Sequence, residues 1–203
     1  MIDFVDCYNR SAGWCSVHKM ENMWREMHAV IEGKKPGERI LGIELGVFAA
    51  RSIIPVAHLM RERGTKGMLY GIDPWATHEA TKGYDGEHQN WWSRVDMPDV
   101  LKQAHALVRS YHLHDYVTLI TSTSDQAASL FRDQAIDFFH CDAQHTFEQF
   151  RKDVDNYVPQ VRSGCPVIVD DVGWVGGKEA AQYVSQFCDY KYSIDDCGFF
   201  VKK

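Results

Sequence analysis

Apolar positions along residues 16–32 fall at Val17, Met20, Met23, Trp24, Met27 and Val30 or Ile31, three or four apart. That spacing predicts an amphipathic helix, and the GKKPGE segment after it supplies the stop. Short apolar runs follow: ILGIELG (40–46), GMLYGID (67–73), YVTLITS (116–122), AIDFFHCD (135–142) and PVIVDD (166–171) each predict a strand. Helical stretches separate most of them, which argues for a parallel sheet covered on both faces. Near the C-terminus KYSID and FFVKK flank only Asp196, Cys197 and Gly198, too short a link for a parallel crossover, so these two strands form an antiparallel hairpin. The reading is a doubly wound α/β domain with a mostly parallel seven-stranded sheet. Residues 76–100, ATHEATKGYDGEHQNWWSRVDMPDV, have weak periodicity and read as a long loop entering the helix that carries Leu101, Ala104, Leu107 and Val108. Loops of that length in a compact domain usually serve function, here as a substrate loop.

A chain of 203 residues suits a single domain, 1–203, with residues 1–35 as an N-terminal helical cap. The net charge of −6 and the pI near 5.9 argue against nucleic acid, whose recognition needs clustered Lys and Arg, and favour a small-molecule partner. Six cysteines without CxxC spacing signal neither a zinc site nor a disulfide framework. With an acidic start, MIDFVDCYNR, and no apolar stretch of membrane-spanning length, the expected setting is cytoplasmic, away from the membrane, with the chain folding alone or as a homo-oligomer.

In an open α/β sheet, ligands bind beyond the carboxyl ends of the strands. Acids gather at those ends: Glu44 ahead of Gly46, then Asp73, Asp142, Asp170 and Asp171. Asp73 suits a carboxylate accepting hydrogen bonds from ribose hydroxyls, with Gly46 admitting close approach of the first loop; a turn or capping role is the alternative. ELGVFAA is not GxGxxG, which lowers the case for a nicotinamide cofactor. Asp142, Asp170 and Asp171 form a set of the kind that hard cations take, although Asp170 and Asp171 also suit a turn before GWVGG. His145, three residues after Asp142, is placed to act as a general base, and the other histidines, His140 among them, lack comparable acid context except His78 and His88 in the loop. Trp91, Trp92 and Tyr84 either line a substrate pocket or pack the loop onto the domain.

Four stretches, IELGVFAARS (43–52), GIDPW (71–75), FFHCDAQHTFEQFRKDV (138–154) and SGCPVIVDDVGW (163–174), resemble class I S-adenosylmethionine-dependent methyltransferases. They are most similar to the metal-dependent branch containing cephalosporin-biosynthesis and macrolide-sugar O-methyltransferases. The resemblance implies the Rossmann-like methyltransferase fold and transfer of a methyl group from S-adenosylmethionine to a small-molecule hydroxyl. It assigns Glu44, Gly46, Asp73, Ser124, Asp125 and Asp142 to the cofactor. Asp142, Asp170 and Asp171 would hold Mg²⁺ or Mn²⁺, and His145 would be the base. The pattern is broken at Ala50 and Cys165, where the family commonly has glycine. A non-catalytic module binding S-adenosylmethionine or a protein partner is the alternative, but it gives the acid set no purpose.

Overall fold

The computed structural model describes residues 2–144, 146–173 and 177–203. Strands β1 (Ile40–Leu45), β2 (Gly67–Asp73), β3 (Val117–Thr121), β4 (Phe138–Cys141), β5 (Pro166–Val169), β6 (Cys188–Ile194) and β7 (Cys197–Lys202) form one sheet in the order β3-β2-β1-β4-β5-β7-β6. All pairings are parallel except β5 with β7 and β7 with β6. Chain order reverses between β1 and β4, the switch point where open sheets of this type leave a crevice. The hairpin link is shorter than the sequence suggests. Cys197 and Gly198 belong to β7, and Asp195 turns between the strands with φ 53°.

Helices α1 (Phe4–Arg10), α2 (Val17–Gly33), α3 (Ile53–Glu62) and α6 (Met97–Ser110) cover one face of the sheet, where Met20, Met23, Met27, Ile54, Ala104 and Leu107 meet Ile40, Leu69, Phe138 and Ile168. Opposite them, α7 (Ser124–Phe131), α8 (Phe147–Tyr157) and α9 (Gly177–Val184) place Phe131, Val154, Tyr157 and Val184 against Ile43, Leu45, Phe139 and Val167. Strand residues therefore alternate between two apolar layers, as period-two side chains must when both faces are buried.

Residues 76–100 are not a plain loop. They contain α4 (Thr77–Ala80) and α5 (Gly86–Trp92) before α6 begins. Helices of one or two turns are too short to display the 3.6-residue period, which is why the stretch reads as irregular. Asp96 caps α6 by accepting from the Asp99 N–H at 3.0 Å. The cysteines of the described chain are free thiols, and among the described residues no helix is long and apolar enough to cross a membrane.

Candidate functional site

The hydrogen-bond ladder runs past the strand ends: the Asp142 N–H donates to Leu45 O at 2.9 Å and the Asp170 N–H to Cys141 O at 3.0 Å. Glu44 pairs in register with His140, and His140 with Ile168. Alternation then sets Glu44, His140, Asp142 and Asp170 on the sheet face under α2 and α3. One ligand atom each from His140, Asp142 and Asp170 lie within 4.8 Å of one another, and the same holds for Asp170, Asp171 and Asp196. The three acids singled out from sequence are thus divided between two groups that share Asp170. Asp196, from the β6–β7 turn, joins the second. Asp171 takes φ 57°, which swings the chain out of β5.

The cation facing these acids comes from the N-terminal cap. Lys19 on α2 is buried, and its Nζ lies 2.6 Å from Asp170 Oδ1 and 2.6 Å from Asp196 Oδ1. Burial works against its charge, but the charge and hydrogen bond of Asp170, with help from Asp196, outweigh it and hold the ammonium above its usual pKa. The same contact lowers the Asp196 carboxyl despite partial burial. Sequence reading misses Lys19, because nothing local shows that α2 crosses the carboxyl end of β5 and the amino end of β7.

It also misses His140, whose neighbours along the chain gave it no acid context to match that of His145. The ring is wholly buried, with Nδ1 3.4 Å from Glu44 Oε2. Burial opposes its protonation, but Glu44, then Asp142 and Asp170, raise its pKa overall. The available signal is its position two residues before Asp142 in a strand, which puts both on one face. Glu44, expected at the cofactor loop, lies inside β1 and accepts a 2.6 Å hydrogen bond from Ser52 Oγ.

The cofactor-loop candidate, residues 46–52, is turned by Gly46 at φ 78°, Phe48 at 49° and Ala50 at 69°. A β-carbon on Gly46 would stand 1.8 Å from Asp142 O, so glycine is needed where the β1 and β4 loops touch. Ala50, fully buried, holds a conformation that costs a non-glycine residue about 1–2 kcal/mol. Asp73 braces this loop: its carboxylate accepts from the Phe48 N–H at 3.0 Å and the Trp75 N–H at 2.8 Å. Burial raises the Asp73 pKa in spite of these bonds. Arg51 ties the loop to the N-terminal segment, donating to the backbone oxygens of Tyr8, Ser11 and Gly13. Around it, Trp14 packs against Phe48, Trp91 and Trp92 at ring separations of 5.2, 5.1 and 5.9 Å. The Gln144 side chain, two residues after Asp142, donates to Lys82 O and fastens the α4–α5 segment beside the acids.

Ser124 and Asp125 open α7, where Gln149 Nε2 reaches both at 3.3 Å and Tyr157 donates to Ser124 O at 2.7 Å. Beneath them Asp153 is fully buried with Oδ2 unpartnered. Burial holds its carboxyl at about 6, against an ordinary 3.8, overriding hydrogen bonds from Ser124 and Gln149. The folded protein binds this proton more tightly than the unfolded chain, so the stability it contributes is complete below pH 3.8 and is lost as pH rises to about 6. Asp153→Asn cannot ionise. Its Tm relative to wild type is expected to increase between about pH 4 and pH 7, which melting curves across that range check. His145, the base expected from sequence, lies outside the described residues.

A switch-point crevice, a tight loop braced by the acid of β2, acids past β4 and β5, and an antiparallel last pair define a class I methyltransferase. Residues 43–172 match the methyltransferase domain family, and the chain belongs to that family. Among curated proteins no sequence match is found. Of the solved structures similar to it, the O-methyltransferase NovP has a TM-score of 0.74 at 19% identity, over 93% of this chain and 81% of that one. CalS11, a calicheamicin methyltransferase, gives 0.63 at 14% identity over 92% and 80%. An O-methyltransferase from Bacillus cereus in complex with SAH gives 0.61 at 15% identity over 97% and 86%. At these identities the likeness establishes the shared fold.

Proposed function

We propose that this protein transfers a methyl group from S-adenosylmethionine to a hydroxyl of a small molecule, a sugar or glycosylated natural product, with a divalent cation, Mg²⁺ or Mn²⁺, at the acid cluster. The observation that carries the reading is the meeting of Asp142 and Asp170 beside the Gly46 loop at the switch point. The similar structures include CalS11, a TDP-rhamnose 3'-O-methyltransferase, which favours a hydroxylated sugar as acceptor. The donor set fits a cation: carboxylate oxygens from neighbouring strand ends converge, and Lys19 and the Asp171 N–H both engage Asp170 through Oδ1, so its Oδ2 is not consumed by them.

When bound, the cation supplies Lewis acidity that lowers the pKa of an acceptor hydroxyl. The chain's own residues do the rest. Asp142, Asp170 and Asp171 hold the ion, and His145 takes the acceptor proton. Asp73 fixes the loop at Phe48 and receives ribose hydroxyls, Gly46, Ser124, Asp125 and Asp142 complete the cofactor side, and Glu44 supports the loop from within β1 through Ser52. Positioning of the hydroxyl oxygen in line with the methyl group supplies much of the rate.

Calorimetry tests the reading. S-adenosylmethionine should bind, and Asp73→Ala should weaken it about 10- to 100-fold, the loss of charge-assisted hydrogen bonds of ~1.5–3 kcal/mol. Turnover with a panel of diol-bearing sugars should stop in excess chelator. Binding of NAD with no heat from S-adenosylmethionine, or full turnover in chelator, would overturn the assignment.

A further inference from the structure

His140 is the least satisfied polar side chain of the site. It is wholly buried in β4, and neither ring nitrogen has a hydrogen-bond partner. Leaving a buried polar group unpaired costs about 1–3 kcal/mol, and such a group in a native protein calls for a physical explanation, an ion among them. The surroundings supply one. Nδ1 stands 3.4 Å from Glu44 Oε2, and Ser52 fixes the other Glu44 oxygen at 2.6 Å. A ring nitrogen also shares a 4.8 Å neighbourhood with carboxylate oxygens of Asp142 and Asp170. A carboxylate behind an imidazole that faces further acids is the arrangement by which proteins orient a metal-binding histidine and set its tautomer. Lys19 engages Asp170 through Oδ1 and shares its charge with Asp196, so it does not take up Asp170 Oδ2.

We propose that His140 supplies an imidazole nitrogen to the cation alongside Asp142 and Asp170, with Glu44 as its orienting carboxylate, so that the site selects a first-row transition ion over Mg²⁺. Mg²⁺ prefers oxygen ligands and retains its waters, whereas imidazole suits the later ions of the row. The inference rests on the divalent-cation reading above and deepens it.

Pulsed electron paramagnetic resonance on protein loaded with Mn²⁺ alone decides the matter without turnover. Wild type should show ¹⁴N modulation from a bound imidazole. His140→Gln should lose it while keeping weaker Mn²⁺ binding through the carboxylates, and His145→Ala should retain it. Glu44→Gln should weaken Mn²⁺ about 10- to 100-fold, the usual effect of removing an orienting partner. Oxygen-only coordination in wild type, modulation that persists in His140→Gln, or its loss in His145→Ala each overturns the proposal and leaves the cation reading standing. Absence of any Mn²⁺ binding to wild type would sink both. If His140→Gln does not fold, the wild-type and His145→Ala spectra still distinguish a bound imidazole at this position from oxygen-only coordination.

Discussion

Replacing Lys19 by methionine is expected to remove about 3–5 kcal/mol of stability, the usual effect of breaking a buried ion pair. For a chain of this size that is a fall in Tm on the order of 10 °C. Methionine keeps the unbranched stem within α2 and removes only the ammonium. What remains is Asp170, its side chain 6% exposed, with its carboxylate still among Asp171 and Asp196. An uncompensated buried charge is more costly than the pair was favourable, because the Coulomb energy lost is not recovered by water. The more exposed Asp196 can turn to solvent, so most of the loss should fall on Asp170. Thermal melts followed by circular dichroism measure it. A Tm within about 2 °C of wild type, under 1 kcal/mol, would mean that the pair is a surface-like contact despite its burial.

Gly46→Ala should be as damaging for a steric reason. The added carbon meets Asp142 O at 1.8 Å, Asp142 C at 2.4 Å and Ala143 Cα at 2.9 Å, and these are backbone atoms that no rotamer change can move. The φ of 78° adds strain to the collision. A loss above about 4 kcal/mol is expected, in the range reserved for disrupted cores and impossible backbones. Gly64 is the control: its φ is 60°, yet a β-carbon there meets nothing within 4 Å. Gly64→Ala should therefore cost only the conformational part, about 1–2 kcal/mol. Denaturant unfolding of both variants separates clash from strain, and similar losses for the two would show that the β1 and β4 loops separate easily.

Much of this architecture is legible in the sequence because burial on both faces writes continuous apolar runs, and each core strand coincides with one. The acids past β4 and β5 are readable for a related reason: a run that stops at Asp marks the strand's exit. What is not legible depends on contacts between distant segments. On α2, Lys19, Asn22 and Glu26 lie buried beside the methionine stripe. This second, polar stripe docks the helix onto the β5–β7–β6 half of the sheet, Lys19 through Asp170 and Asp196, and Glu26 through Lys191 at 2.6 Å and Tyr192 at 2.7 Å. Its spacing is present in the sequence, but a polar residue on a helix reads as solvated until its partner is known. His140 is hidden likewise, since in an apolar run one histidine looks like filler. Only the register of β1 with β4 sets Glu44 beside it.

The aromatic contacts around Trp14 have an optical consequence. Trp91 and Trp92 have ring centres 4.8 Å apart, and Trp14 closes a triangle of indoles over Phe48, in the loop that Asp73 braces. Transition dipoles at such separations couple and split their near-ultraviolet bands, with a sign and size set by the mutual tilt of the rings. The three rings come from two chain segments that meet at the loop, so any rearrangement of the loop alters the tilt. The protein thus carries its own chiroptical gauge of that loop, readable without a dye or label.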